Sequence, residues 1–286
     1  MRTFAAVTLL LFATASAWAG PYAPPAGQAG STAIAAGDAA IVSWASGFSN
    51  LVRGPLDIAN PGGGLASFGA GGNSLGPANA TPASPGPVVS LGDGGQITLS
   101  FAHAITDGAG FDFAVFENGF ADAFLELAFV EVSTNGTDFV RFPGVSLTQT
   151  NTQVGSFDAL DATNLHNLAG KYRVGFGTPF DLSDIAGLLA AVDVGNINFV
   201  RIVDVVGSIN AALGTEDSLG NRVNDPYPTA FASGGFDLDA VGVIHAVPEP
   251  AGWVLLAIGA TLLGFRRCWW RRRVDSARGA GIQSSG

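Results

Sequence analysis

Residues 129–142, "FVEVSTNGTDFVRF", carry the clearest fold signal in the chain. Apolar and polar side chains alternate in both halves, which is the period of a β-strand with one buried face. The halves are joined by "TNGT" at 134–137, and an Asn-Gly pair between alternating segments is a strong hairpin signal. The stretch predicts an antiparallel hairpin whose primed turn places Gly136 at positive φ.

The same alternation recurs on both sides of this hairpin, in short segments bounded mostly by Gly, Asn or Asp. Only residues 181–192, "DLSDIAGLLAAV", read as a helix, because the first turn is acidic and a Leu-Leu pair follows. The chain is therefore predicted to be mainly β, an antiparallel β-sandwich (jelly roll) with one short helix. The predicted strands are 40–44, 87–91, 96–101, 111–117, 127–133, 138–142, 197–205 and 237–244.

Two further structural expectations follow from composition and alternation. Residues 61–87 consist mostly of Gly, Pro, Ala, Ser, Asn and Thr and predict a long loop. Alternating strand positions assign Phe111, Phe113, Phe129, Phe139 and Phe199 to the core.

Both ends of the chain look like targeting segments. Residues 1–19 combine Arg2, an apolar stretch and the small residues Ala17 and Ala19, the pattern of a signal peptide cleaved by signal peptidase. Near the other end, residues 251–265 are uncharged but would span only about 22 Å as a helix. Flanking tryptophans and snorkelling arginines extend such a segment toward the ~30 Å hydrocarbon core, so it predicts a transmembrane helix.

The C-terminal segment resembles the PEP-CTERM sorting signal of Gram-negative bacteria. The resemblance rests on Pro248-Glu249-Pro250, the apolar run, and an arginine cluster that begins with Arg266 and Arg267. It implies that an exosortase removes the tail after transient residence in the inner membrane, and that the protein reaches the cell surface or extracellular matrix. Exopolysaccharide and biofilm production usually accompany such tails.

Four parts follow from these segments. They are a signal peptide (1–19), a β-sandwich ectodomain (20–246), a sorting signal with its transmembrane helix (247–273) and a polar cytoplasmic tail (274–286). The ectodomain has six basic and 21 acidic residues, a net charge of about −15. Since nucleic-acid binding depends on Lys and Arg, this balance argues against a nucleic-acid partner. The single cysteine, Cys268, lies in the sorting signal, so the ectodomain has no disulfide or thiolate chemistry.

Solubility alone is the better explanation for most of the acidic residues, but their clustering suggests a calcium site. Asp107 and Asp112 flank a Gly-rich turn whose carbonyls can face inward, and calcium prefers oxygen ligands of these kinds. A second acidic group comprises Asp217, Asp225, Asp237 and Asp239. None of these segments fits an EF-hand loop.

The ectodomain is also similar to known surface proteins. Segments such as "DFAVFENGF", "AFVEVSTNGTDFVRFP" and "GGFDLDAVGVI" resemble, in order, bacterial secreted cell-surface proteins without an assigned activity. The 129–142 hairpin is similar to discoidin-like, galactose-binding-like and carbohydrate-binding jelly rolls. This resemblance implies a binding module, and a structural calcium with Asp239 as a ligand.

Three functions compete on this evidence. A non-catalytic module that binds polysaccharide or another envelope component leads, followed by a purely structural matrix protein and then by a secreted glycan hydrolase. No catalytic residues are assigned, because the candidates, Glu117 and Glu131, are better interpreted as structural or exposed strand residues. The ligand-binding residues stay open, although sugar-binding sites use exposed aromatic rings. The possible rings are Trp44, Phe48, Tyr172, Tyr227 and Phe231.

Overall fold

The structure is a computed structural model that describes residues 20–84 and 86–248. The predicted signal peptide (1–19), most of the sorting signal (247–273) and the tail (274–286) lie outside these residues. So do Glu249, Pro250, Arg266 and Arg267, whereas Pro248 is the last residue described. Within the described ranges, no helix combines the length and apolar character needed to cross a membrane.

The described chain is mainly β, as the sequence predicts. Each of the eight predicted segments contains a strand, and the unpredicted strands are mostly short. In chain order the strands are β1 (Ile34–Ala35), β2 (Ser43–Trp44), β3 (Gly47–Val52), β4 (Val89–Ser90), β5 (Gln96–Ile105), β6 (Phe113–Glu117), β7 (Ala128–Ser133), β8 (Val140–Arg141), β9 (Val145–Ser146), β10 (Leu165–His166), β11 (Phe176–Phe180), β12 (Ile197–Asp204) and β13 (Asp237–Val243).

The described residues form three antiparallel sheets; the third is the two-stranded pair β9–β10, and the two larger ones make up a sandwich-like structure. One has the order β1-β11-β6-β13-β2, with β4 also paired to β13, and the other has the order β3-β5-β12-β7-β8. The main core lies between them, because alternate residues of both sheets, such as Ile202 and Val241, belong to one buried apolar cluster. A second cluster, which includes Phe129 and Leu127, covers the opposite face of β7. Strand β7 is consequently buried along its whole length.

The predicted helix at 181–192 is wrong beyond its first turn. Only Leu182–Ile185 is helical, as a 3-10 turn capped by the Asp181 side chain, which accepts a 2.9 Å hydrogen bond from the backbone of Ser183. Gly187 then adopts φ +78°, which interrupts the helical path, and Leu188 is exposed.

The predicted hairpin forms, but its turn differs from the prediction. Strands β7 and β8 pair with Val132 opposite Val140, which leaves a wider loop than a tight turn. Gly136 has φ +79° as expected, whereas Asn135 is not at positive φ, so the primed turn is wrong. The Asn135 side chain instead accepts hydrogen bonds from the backbones of Thr137 and Asp138, each 2.9 Å long.

Three of the five phenylalanines assigned to the core are partly or largely exposed. Phe113 and Phe129 are buried, but Phe111 is exposed and Phe139 and Phe199 are half-buried. The long loop at 61–87 contains two 3-10 turns, Pro61–Gly63 and Gly71–Ser74. Among its described residues, Ala66, Ser74 and Ala80 are buried, and Ala80 packs with Val88 and Val174.

Candidate functional site

A pocket lies beside the place where β6 ends and β13 begins. The two strands are neighbours with Glu117 opposite Leu238, and β4 pairs with β13 at the same end with Ser90 opposite Asp237. This register brings Glu117 and Asp237, which are distant in sequence, to one end of the sheet. Asn118 follows β6 directly and lies there too.

This pocket, hereafter the aromatic pocket, has a volume of about 310 Å³. Its polar inner residues are Asn118, Glu126 and Asp237, of which the two acids are buried. Loops from four parts of the chain supply its other walls. The aromatic lining residues are Phe68, Phe120, Phe124, Phe157 and Phe231.

Four of these phenylalanines form a continuous row. The ring centroids of Phe120 and Phe124 are 4.1 Å apart, those of Phe124 and Phe157 are 6.0 Å apart, and those of Phe157 and Phe231 are 5.6 Å apart. All three pairs are stacked rather than edge-on. Phe120 and Phe157 are nevertheless 60% and 70% exposed. A row of exposed rings along a pocket is a characteristic of binding surfaces rather than of a core.

The polar end of the pocket belongs to a group of buried carboxylates. Glu117, Glu126, Asp225 and Asp237 are all less than one-tenth exposed. Burial raises the pKa of Glu117 and of Glu126 well above the ordinary value, and the charges of neighbouring acids raise both further. Burial also raises the pKa of Asp225, and it raises that of Asp237 to about 6. We refer to these four residues as the buried acid group.

The hydrogen bonds of the buried acid group are incomplete. Asp237 accepts from the Ser90 hydroxyl and, at 3.3 Å, from the Asn118 amide. Oε2 of Glu117 accepts from the backbone of Gly119 at 2.6 Å, but its Oε1 is buried without a hydrogen-bond partner. Oδ1 of Asp225 is also buried and has no such partner.

A different set of acids, Asp107, Asp112 and Asp181, can hold a metal ion. One carboxylate oxygen from each lies within 4.8 Å of the other two, and no other set of three potential ligands in the described ranges meets this criterion. Sequence analysis predicts the first two but not Asp181. The buried Asp112 carboxylate already accepts hydrogen bonds from the backbones of Gly108 and Leu182, both 2.7 Å, and contacts His245 Nδ1 at 2.9 Å. These bonds fix the turn around the acids.

The second predicted acidic group is divided among several places. Asp225 and Asp237 belong to the buried acid group. Asp217 accepts backbone hydrogen bonds from Leu219, Asn221 and Ser146, and Asp239 accepts from Asn79 and Ala80. The latter two acids therefore hold backbone segments in place.

Of the predicted sugar-binding rings, only Phe231 lies in the aromatic pocket. Trp44 packs on Phe116, Tyr172 is buried, and the Tyr227 hydroxyl donates a 2.7 Å hydrogen bond to Asp57. Phe48 is exposed but is not among the residues that line the pocket.

Sequence reasoning missed most of the aromatic pocket. Phe120, Phe124 and Phe157 lie in loops where no periodicity marks them, and Glu126 precedes a strand without belonging to a motif. The "FENGF" segment offered the only local signal, since it combines two polar groups with an aromatic residue directly after a strand. The chain matches no family model, and no curated protein is significantly similar to it.

Proposed function

We propose that the chain is an exported, non-catalytic binding module of the cell surface or extracellular matrix, and that it binds polysaccharide through the aromatic pocket. The observation that carries this proposal is the row of exposed phenylalanines beside buried polar groups. A sugar ring has an apolar face that packs on aromatic rings, and its hydroxyls need acceptors such as the carboxylates of Glu126 and Asp237. The two-sheet architecture is compatible with the jelly roll of carbohydrate-binding modules.

The test is glycan-array binding by the full chain in detergent. We expect Phe120→Ala and Phe157→Ala to weaken binding about tenfold or more, because each loses an exposed stacking ring. Phe111→Ala is the matched control, since Phe111 is an exposed phenylalanine outside the pocket. Equal binding by the pocket variants and the wild type would rule out this site. Absence of binding to any polysaccharide would favour the alternative of a purely structural matrix protein.

A glycan hydrolase is the second candidate function, because Glu126 and Asp237 line the same pocket. A glycosidase of the common type needs one protonated carboxyl and one ionised carboxylate. Burial raises the pKa of both residues, and the charges of neighbouring acids raise that of Glu126 further. These shifts do not separate binding from hydrolysis, so the preference for binding rests on the row of phenylalanines. Release of reducing sugar from a bound polysaccharide would reverse that preference.

Calcium is the ion that we propose for Asp107, Asp112 and Asp181. All three ligands are hard oxygen donors, and the surrounding Gly-rich turn offers backbone carbonyls. Loss of one calcium-binding event in Asp181→Asn, measured by isothermal titration calorimetry, is the corresponding test.

A further inference from the structure

Lys171 is the only lysine in the chain, and the fold buries it. Its side chain belongs to a residue that is 4% exposed, whereas lysines normally keep the ammonium group in water. Burial lowers the pKa of Lys171 to about 8, although the charge of nearby Asp161 acts in the opposite direction. The ammonium group is therefore still largely charged at neutral pH, and the fold holds a positive charge in its interior.

This buried charge has no anionic partner. No acid in the described ranges forms an ion pair with Lys171. Asp161 is near enough to influence it, but Oδ1 of Asp161 accepts from the backbone and the hydroxyl of Thr163, at 2.9 and 2.7 Å. Nζ of Lys171 donates a 2.8 Å hydrogen bond to the backbone carbonyl of Leu165, which uses one of its three donors. Because an unpaired buried charge is costly, the remaining donors favour an anion.

Lys171 lines a second pocket, hereafter the lysine pocket, which has a volume of about 270 Å³. Its Nζ atom lies 6.0 Å from the centroid of the Tyr22 ring, and this ring stacks on that of His166 at 4.9 Å. The backbone of Lys171 donates a 3.2 Å hydrogen bond to Oγ1 of Thr178. Tyr22, His166 and Thr178 also line the lysine pocket. The Tyr172 ring, 5.5 Å from Nζ, adds a second cation-π contact, but neither tyrosine ring supplies a negative charge.

The lining of the lysine pocket favours a small anion. None of its described lining residues is an aspartate or a glutamate, although acidic residues outnumber basic ones in the chain, 23 to 13. One ammonium group balances the single charge of a carboxylate, whereas a phosphate monoester carries nearly two charges. The rings of Phe111, which is exposed, and Tyr22 offer apolar surface on which a sugar ring can pack. A carboxylate on a sugar-sized ligand matches this combination.

We infer that the lysine pocket binds a carboxylate group with Lys171 as its cationic partner, and that uronic acids are the ligand class that fits it best. The lysine pocket shares no lining residue with the aromatic pocket, so this site does not depend on the polysaccharide binding proposed there. Because Phe111 lines the lysine pocket, Phe111→Ala is a control for the aromatic pocket only on glycans without carboxylates.

The test is a titration of the full chain with galacturonate, in detergent and metal-free buffer. Metal is removed because a cation at Asp107, Asp112 and Asp181 can also hold a carboxylate. Isotope-labelled lysine gives one backbone amide signal in the nuclear magnetic resonance spectrum, that of Lys171, whose N–H group donates to the pocket wall. Galacturonate should shift this signal in a saturable manner. Galactose, which lacks the carboxylate, should leave the signal unchanged.

Two variants distinguish a ligand site from a purely structural lysine. Lys171→Met removes the charge and should weaken galacturonate binding, measured by calorimetry, about tenfold or more. His166→Glu keeps the lysine and places a carboxylate at an exposed position of the pocket wall, where it competes with the ligand, so it should weaken binding to a similar extent. Gln28→Glu is the matched control, because it adds the same charge at an exposed position outside the lining residues.

The outcomes separate the ligand sources and the two pockets. Galacturonate that binds more tightly than acetate would identify uronic acids as the ligands, whereas equal affinities would support the carboxylate site and assign it to small organic acids. Phe120→Ala should bind galacturonate like the wild type, so a failure of the aromatic pocket to bind polysaccharide would leave this result intact. An amide signal that neither acid shifts, or an equal response to galactose, would overturn the inference. So would unchanged galacturonate affinity in His166→Glu, even where Lys171→Met fails to fold.

Discussion

Arg201 lies opposite Glu131 in the register of β12 and β7, and its guanidinium group binds the Glu131 carboxylate. On the other side of β7, Arg141 is also opposite Glu131 and donates a 2.9 Å hydrogen bond to Oε1. The two guanidinium groups lie over the rings of Phe139 and Phe129, at 3.9 and 4.2 Å from the ring centroids. Glu131 thus joins three strands, and Phe139 packs on the Arg201 guanidinium group rather than in the main core.

Glu131→Ala should lower the free energy of unfolding by about 1–3 kcal/mol, because it removes charge-assisted hydrogen bonds to two arginines around a largely buried carboxylate. Glu216→Ala is the control. Its partner, Arg222, forms a single exposed ion pair with it, which contributes about 0–1 kcal/mol. Denaturant unfolding of the full chain in detergent measures both changes. Equal effects would show that Glu131 contributes no more than a surface pair.

Gly136→Val should destabilise the protein by about 1–3 kcal/mol, since a β-branched residue disfavours the φ of +79° found there. A Cβ atom would also lie 3.2 Å from the Phe199 ring. Gly72→Val is the control, because Gly72 has no positive φ and a Cβ there would meet no atom within 4 Å. If the two variants have the same unfolding midpoint, the backbone at Gly136 is not restrictive.

The strands were predictable because burial of one sheet face imposes a two-residue period that local sequence records. That the predicted helix at 181–192 would end after one turn could not be predicted, because its Leu-Leu pair implied burial that the structure does not provide. Leu188 is exposed, and Gly187 ends the turn. The partial exposure of Phe139 could not be predicted from alternation either, because its ring packs on Arg201, which comes from a strand distant in sequence.

The candidate site was less predictable than the fold. Glu117 and Asp225 were visible as acids, but their proximity depends on strand order and on a hydrogen bond between distant segments. The phenylalanine row is assembled from loops, where side-chain positions follow no period. Asp181 was not predicted as a metal ligand, because the sequence placed it at the start of a helix.

Replacement of Pro248-Glu249-Pro250 by three alanines should leave export intact and cause the uncleaved protein to accumulate in the inner membrane. The reason is that the sorting-signal resemblance assigns recognition by exosortase to this motif. A blot of fractionated cells measures processing. Equal cleavage of the variant and the wild type would contradict the assignment.

Stability without metal should depend on pH through Asp237. Its folded-state pKa is raised to about 6 by burial, whereas an unfolded aspartate titrates near 3.8. The folded state therefore binds the proton more tightly, so this residue's destabilising contribution is full above pH 6 and is relieved as the pH falls from about 6 to about 4. At neutral pH the contribution amounts to about 3 kcal/mol.

Asp237→Asn removes that titration and serves as the comparison. In EDTA, the stability advantage of Asp237→Asn over the wild type should be larger at pH 7.5 than at pH 5. A difference that is independent of pH would show that the pKa of Asp237 is not raised by folding.

Asp239 gives the sharpest contrast between the sequence-based expectation and the structure. As a calcium ligand, it should matter only when calcium is present. In the structure its buried carboxylate accepts 3.2 Å hydrogen bonds from the backbones of Asn79 and Ala80, and so holds the 61–87 loop against β13. Asp239→Ala should therefore lower the free energy of unfolding by about 1–3 kcal/mol in EDTA and in calcium alike, because two backbone donors lose their acceptor. Asp239→Asn retains one acceptor oxygen and should lose less. Thermal melts of both variants in EDTA and in calcium measure the loss of stability. A loss seen only in calcium would support a role of Asp239 as a metal ligand, whereas equal losses under both conditions would show that Asp239 anchors the loop.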